Sequence, residues 1–129
     1  MNIVDSSLWI EHLANTAAGR VVSGVIRNID TLIVPTVVIY EVYKKLLYEK
    51  SVKDAIYTAG QMAHGKVTGF NRRLSMYAAQ VSKDHKLSVA DSIIYATTLQ
   101  YKGILWTQDE HFNGLPSVNY FPKPKIPDN

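Results

Sequence analysis

Short apolar runs alternate with segments of helical period along this chain, and that alternation restricts the fold more than any other feature. NIVD, TLIVPT, KVTGF, GILWTQD and SVNYF read as strands. Their continuous apolar character suits burial on both faces. Between them lie helical segments. SSLWIEHL follows the first strand, with a serine available as N-cap. AAGRVVSGVIRNI is a second, weaker helix. VVIYEVYKKLLYEK sets Val38, Ile39, Val42, Tyr43, Leu46 and Leu47 on one arc. KDAIYTAGQMAH is preceded by Ser51, which has capping-box spacing to Asp54. RRLSMYAAQVSKDH places Leu74, Tyr77, Ala78 and Val81 on one face. VADSIIYATTLQY is apolar nearly all round, which predicts deep burial. Strands alternating with helices predict an α/β fold, a doubly wound and mostly parallel sheet of about five strands covered on both faces. Ligand sites in such sheets gather outside the carboxyl ends of the strands.

A chain of 129 residues suits one domain, here 1–129, and a 47% hydrophobic content fills one core. Cysteine is absent, which excludes disulfides and thiolate metal sites and fits a reducing cytosol. The N-terminus offers no basic segment followed by a long apolar one, so no signal peptide is expected. No apolar run approaches the roughly 18 residues of a membrane helix. A net charge of +3 is compatible with a phosphate-bearing partner without arguing for one. The three prolines of 121–129 predict a C-terminal arm lying on the surface.

The acids at strand ends carry the chemistry. Asp5 ends the first strand, Glu41 lies near the start of the helix after the second, and Asp91 opens the apolar helix. Asp109 follows the fourth strand. With the first strand central, all four converge on one edge. Four close carboxylates resist ionising together. A divalent cation removes that conflict, and Mg²⁺ and Mn²⁺ favour carboxylate oxygens and bridge to phosphates. Each acid also has a plainer reading. Asp5 can cap the first helix, and Glu41 can pair with Lys45 four residues on. Asp91 can complete a capping box with Ser88, and Asp109 sits between Thr107 and Glu110, which offer another. Burying the Asp91 carboxylate in so apolar a helix is expensive, which favours function there.

Other chemistry is thinly supported. His12, His64, His85 and His111 lack ligand spacing such as HExxH and read as surface or core residues. The seven glycines form no phosphate loop, and Ser6 and Ser7 lack a GxSxG context. Trp9, Tyr40, Tyr43, Tyr77 and Tyr95 read as core residues. Lys44, Lys45, Lys50, Arg72 and Arg73 suit either phosphates or a solvated helix face. A phosphoacceptor domain needs a neighbouring acidic pair and a strand-end lysine. A haloacid-dehalogenase-type phosphatase needs DxD where this chain has Asp5-Ser6-Ser7.

The stretches IVDSSLWIEHL, IVPTVVIYEV, LSVADSIIYATTL and LWTQDEHFNGL, in that order, resemble PIN-domain nucleases, and among them the short VapC-like toxins of prokaryotic toxin–antitoxin pairs. The resemblance spans essentially the whole chain. It matches the family's four characteristic acids to Asp5, Glu41, Asp91 and Asp109, the last in a T-x-[DN]-x-x-F turn completed by Thr107 and Phe112. It implies a three-layer α/β/α fold and a metal-dependent endoribonuclease using Mg²⁺ or Mn²⁺ held by those acids. It also implies an RNA substrate, a cognate antitoxin and often a homodimer. A non-toxin nuclease of RNA processing and a catalytically silent fold mate are the alternatives. One departure stands out: Asn71 occupies a position where many relatives carry an acid.

Overall fold

The computed structural model describes residues 1–124. The elements run β1 (Asn2–Val4), α1 (Ser6–Leu13), α2 (Ala17–Arg27), β2 (Leu32–Pro35), α3 (Thr36–Glu49), α4 (Val52–Met62) and β3 (Lys66–Thr68). They continue with α5 (Arg72–His85), α6 (Val89–Gln100), β4 (Ile104–Thr107), a 3-10 turn (Glu110–Phe112) and β5 (Val118–Tyr120). The five strands form one sheet in the order β3-β2-β1-β4-β5. All neighbours are parallel, so the sheet is parallel throughout.

Sequence order reverses around β1, which holds the centre. Ile3 lies opposite Ile33 of β2 and Leu105 of β4. Consecutive strand residues point to opposite faces, yet Ile3 and Val4, and all of Leu32–Pro35, are buried. Both faces of the central strands are therefore covered by helices, the three-layer α/β/α arrangement. Gly103 lets β4 begin tight against the chain start, since a Cβ there would sit 2.8 Å from the Met1 carbonyl oxygen.

Most helix starts carry a side-chain cap. Thr16 accepts from the Gly19 amide, Ser51 from Asp54, Asn71 from Leu74 and Ser88 from Asp91. The α1 cap is Asp5, whose carboxylate accepts from the Ser6 amide at 2.8 Å; of the two caps the sequence offers there, the aspartate serves and the serine does not. Ser6 and Ser7 lie inside the helix, because β1 ends one residue before it. The departure at Asn71 is thereby accounted for locally, as the cap of α5.

The apolar patterns hold in part. Val38, Val42 and Leu46 are buried on α3, and Leu74, Ala78 and Val81 on α5. Leu47 and Tyr77 are exposed, as is Tyr40 at 62%. The core reading fails for Tyr40, which lies off the apolar arc of α3, and for Tyr77, whose side of the arc α5 turns to solvent. It holds for Trp9 and Tyr95. The middle of α6, Ser92–Thr98, is buried throughout. Among the described residues no helix is long and apolar enough to cross a membrane. Of the expected arm over 121–129, residues 121–124 form neither helix nor strand, and the rest lies outside the described residues. Phe121 is tied back, stacking on Trp106 and donating its amide to the Thr107 carbonyl at 2.8 Å.

Candidate active site

A cavity opens at the carboxyl ends of β1 and β4, between α1, α3 and α6. Asp5, Glu41, Asp91 and Asp109 all line it, joined by Gln108 and His111. The structure thus brings together every acid that the sequence singled out. Each arrives by a different route. The end of β1 delivers Asp5, the second turn of α3 delivers Glu41, the first turn of α6 delivers Asp91, and the turn after β4 delivers Asp109.

Asp5 is the fixed point. Its Oδ2 accepts from the Thr107 hydroxyl at 2.7 Å and from the Ser7 hydroxyl at 3.1 Å. Its Oδ1 accepts from the Ser6 amide. Its own amide donates to the Trp106 carbonyl at 2.9 Å, which continues the β1–β4 pairing past the end of the strand. The second tier is equally ordered. Ser7 accepts from the Gln108 amide and Thr107 from the Asp109 amide, at 3.1 and 2.9 Å. Thr107 therefore links two of the acids through one hydroxyl. The 3-10 turn is capped by Asp109 rather than Thr107, with its Oδ1 accepting from the His111 amide at 2.9 Å.

Burial raises the Asp5 pKa, against the pull of its three hydrogen bonds and with help from Asp109. Burial also pushes Glu41 to about 6, with Asp5 the next cause. Asp91 is raised by burial and then by the charges of Asp109 and Asp5. Among the described residues no Lys or Arg pairs with any of these acids. Lys45 turns away to Glu49 at 3.1 Å, so the expected Glu41–Lys45 pair does not form. The Glu41 Oε1 is buried without a hydrogen-bond partner.

His111 is the residue that spacing missed. Its Nδ1 lies 3.1 Å from Asp109 Oδ1 and 3.5 Å from Asp91 Oδ2. The donor atoms of Asp91, Asp109 and His111 fall within 4.8 Å of one another, a spacing that one ion can bridge. The only available signal was its place inside the T-x-D-x-x-F turn. The residues present fit a divalent cation: the donors are mostly carboxylate oxygens, one of them buried without a partner, and among the described residues no Lys or Arg forms an ion pair with them.

Residues 3–117 match the family model for the PIN domain. The chain belongs to the PIN-domain family. Solved structures carry the same fold. A toxin–antitoxin complex from Klebsiella pneumoniae aligns with a TM-score of 0.79 at 14% identity, over 95% of this chain and 100% of that one. A VapC from Mycobacterium tuberculosis, described as a sarcin-ricin loop cleaving toxin, aligns at 0.75 and 17% identity, over 92% and 97%. FitAcB from Neisseria gonorrhoeae aligns at 0.72 and 18% identity, over 95% and 98%. Comparison of the sequence with curated proteins finds no match. In this PIN domain the four acids of the family pattern lie around one cavity.

Proposed function

We propose that this PIN domain is a metal-dependent endoribonuclease and the toxin half of a toxin–antitoxin pair, with residues 1–129 acting as one unit in the cytoplasm. Convergence of four carboxylates on one cavity without a Lys or Arg counter-ion carries the reading. Asp5, Glu41, Asp91 and Asp109 would hold Mg²⁺ or Mn²⁺. Such an ion, when bound, neutralises phosphate charge and makes water a better nucleophile.

The chain's own residues do the rest. Asp5 is locked by three hydrogen bonds and gives the site a rigid base. Glu41, whose carboxylate lines the cavity, is suited to orient attacking water. Lys45 and Lys123 line the cavity and can meet the RNA backbone. Neither replaces a positioned general acid, so solvent protonates the leaving oxygen. Selectivity would come from the shape of a structured RNA loop. The proposed protein partners are a cognate antitoxin and a second copy of the chain, in keeping with the toxin–antitoxin assemblies that share this fold.

Incubation of the purified protein with structured RNA and Mg²⁺ or Mn²⁺ should yield discrete new RNA ends. EDTA should stop the reaction, and Asp5→Asn should abolish it with the circular dichroism spectrum unchanged. Digestion by Asp5→Asn and Asp91→Asn as fast as by the parent would remove the assignment.

A further inference from the structure

We propose that His111 is itself a metal donor, and that its imidazole biases the acidic cavity toward Mn²⁺ over Mg²⁺. The inference rests on the reading of that cavity as a metal centre. Three observations support it. First, the Nδ1 distances to Asp109 and Asp91, 3.1 and 3.5 Å, match the separation of neighbouring donors around one ion. Bonds of about 2.1–2.2 Å at right angles place such donors about 3 Å apart. Second, the 3-10 turn holds the His111 backbone in place, with Asp109 accepting its amide and buried Phe112 anchoring the next residue. The ring is therefore presented by a fixed turn, although its side chain is 69% exposed. Third, two residues that line the cavity carry buried side-chain atoms with no hydrogen-bond partner. They are the Oε1 of Glu41 and the Nε2 of Gln108, whose residue is only 3% exposed. A cation would satisfy the first and an acceptor the second.

Selectivity follows from donor chemistry. Mg²⁺ binds carboxylate and water oxygens and gains little from imidazole. Mn²⁺ accepts the same oxygens and, as a first-row transition ion, also takes nitrogen. A site of carboxylates alone would separate the two ions weakly. One imidazole among them tilts the choice.

The opposite effect of charge makes the inference testable. If His111 served only as a positive group between Asp91 and Asp109, removing it would strengthen binding of both ions. If it is a donor, removing it weakens Mn²⁺ selectively. The parent and His111→Ala should be titrated with Mn²⁺ while free Mn²⁺ is followed by electron paramagnetic resonance. Mg²⁺ should then be added as competitor at constant ionic strength. We expect Mn²⁺ affinity to fall about 10-fold or more in His111→Ala, as losses around metal sites do, while Mg²⁺ affinity changes less than about 3-fold. Pulsed spectra of the bound ion should show coupling to a ¹⁴N nucleus in the parent and none in His111→Ala. Equal change for both ions, or no nitrogen coupling in the parent, overturns the donor role and leaves the acidic site standing. Failure of the parent to bind Mn²⁺ at all overturns both.

Discussion

Helix α6 contains two kinds of buried polar chemistry a few residues apart. In its middle every hydroxyl has a partner. Ser92 donates to the Val89 carbonyl, Thr97 to Ile93, Thr98 to Ile94, and the Tyr95 hydroxyl to Pro116. In its first turn Asp91 faces Asp109 and Asp5, and burial with like charge raises its pKa. The first region is finished by the fold alone. The second leaves charge uncompensated, which proteins tolerate where a ligand completes the arrangement. The proposed function resides at the unfinished end.

The largest contrast should come from replacing one residue in each region. Asp91→Asn is expected to lower RNA cleavage by about 10³-fold or more, since a preorganised charge at the reaction centre is removed. Its melting temperature should hold or rise. Ile94→Ala, three residues on, should do the reverse. It costs about 2–5 kcal/mol of stability through the cavity left behind, while the folded fraction keeps its cleavage rate. Denaturant unfolding with single-turnover cleavage on both variants decides the matter. Equal loss of activity and stability in both would dissolve the distinction.

Acidity sharpens it further. The Glu41 pKa is raised from 4.5 to about 6 in the folded chain. Between those values the folded state binds more protons than the unfolded one, so stability falls as pH rises through the window. Below it the group is protonated in both states. Above it the loss is complete. In EDTA, Glu41→Gln should therefore melt higher than the parent at pH 7 and alike at pH 4, by roughly 3–5 °C for each 1 kcal/mol recovered. Added Mn²⁺ should raise the parent's melting temperature and leave Glu41→Gln less affected. A pH-independent difference in melting would show that Glu41 is not strained by its surroundings.

The smallest effect should come from Asn71, away from the cavity. Loss of its cap in Asn71→Ala should cost about 0.5–2 kcal/mol, with cleavage unchanged. A fall in cleavage at equal stability would tie Asn71 to the reaction after all.

Much of the molecule is legible in the sequence because its signals are periodic. Five apolar runs become five strands, and the central place of β1 follows from the doubly wound pattern. The four acids could be gathered because Asp5 and Asp109 sit at strand ends, Glu41 in the helix after β2 and Asp91 in the first turn of the helix before β4. Other features depend on contacts that no local pattern encodes. His111 reads as a surface residue until the turn after β4 brings it against Asp91, 20 positions earlier. Ser7, Thr107 and Gln108 join the site through hydrogen bonds spanning over 100 residues. Leu47 and Tyr77 fit an apolar arc yet face solvent, since periodicity names a stripe and not its edges. Of the two α1 caps the sequence offers, Asp5 and a serine, Asp5 takes the place, because only the backbone shows where the strand stops.

The parallel sheet also governs when a site can exist. β1, three residues long, finds its central partner β4 only after about a hundred further residues have been made. Asp5 is made about a hundred residues before Thr107, which anchors its carboxylate. Such long-range pairing folds slowly, after its distant segment has emerged. A chain ending before Ile104 lacks β4, Thr107 and Asp109 together, and so cannot close the cavity around Asp5.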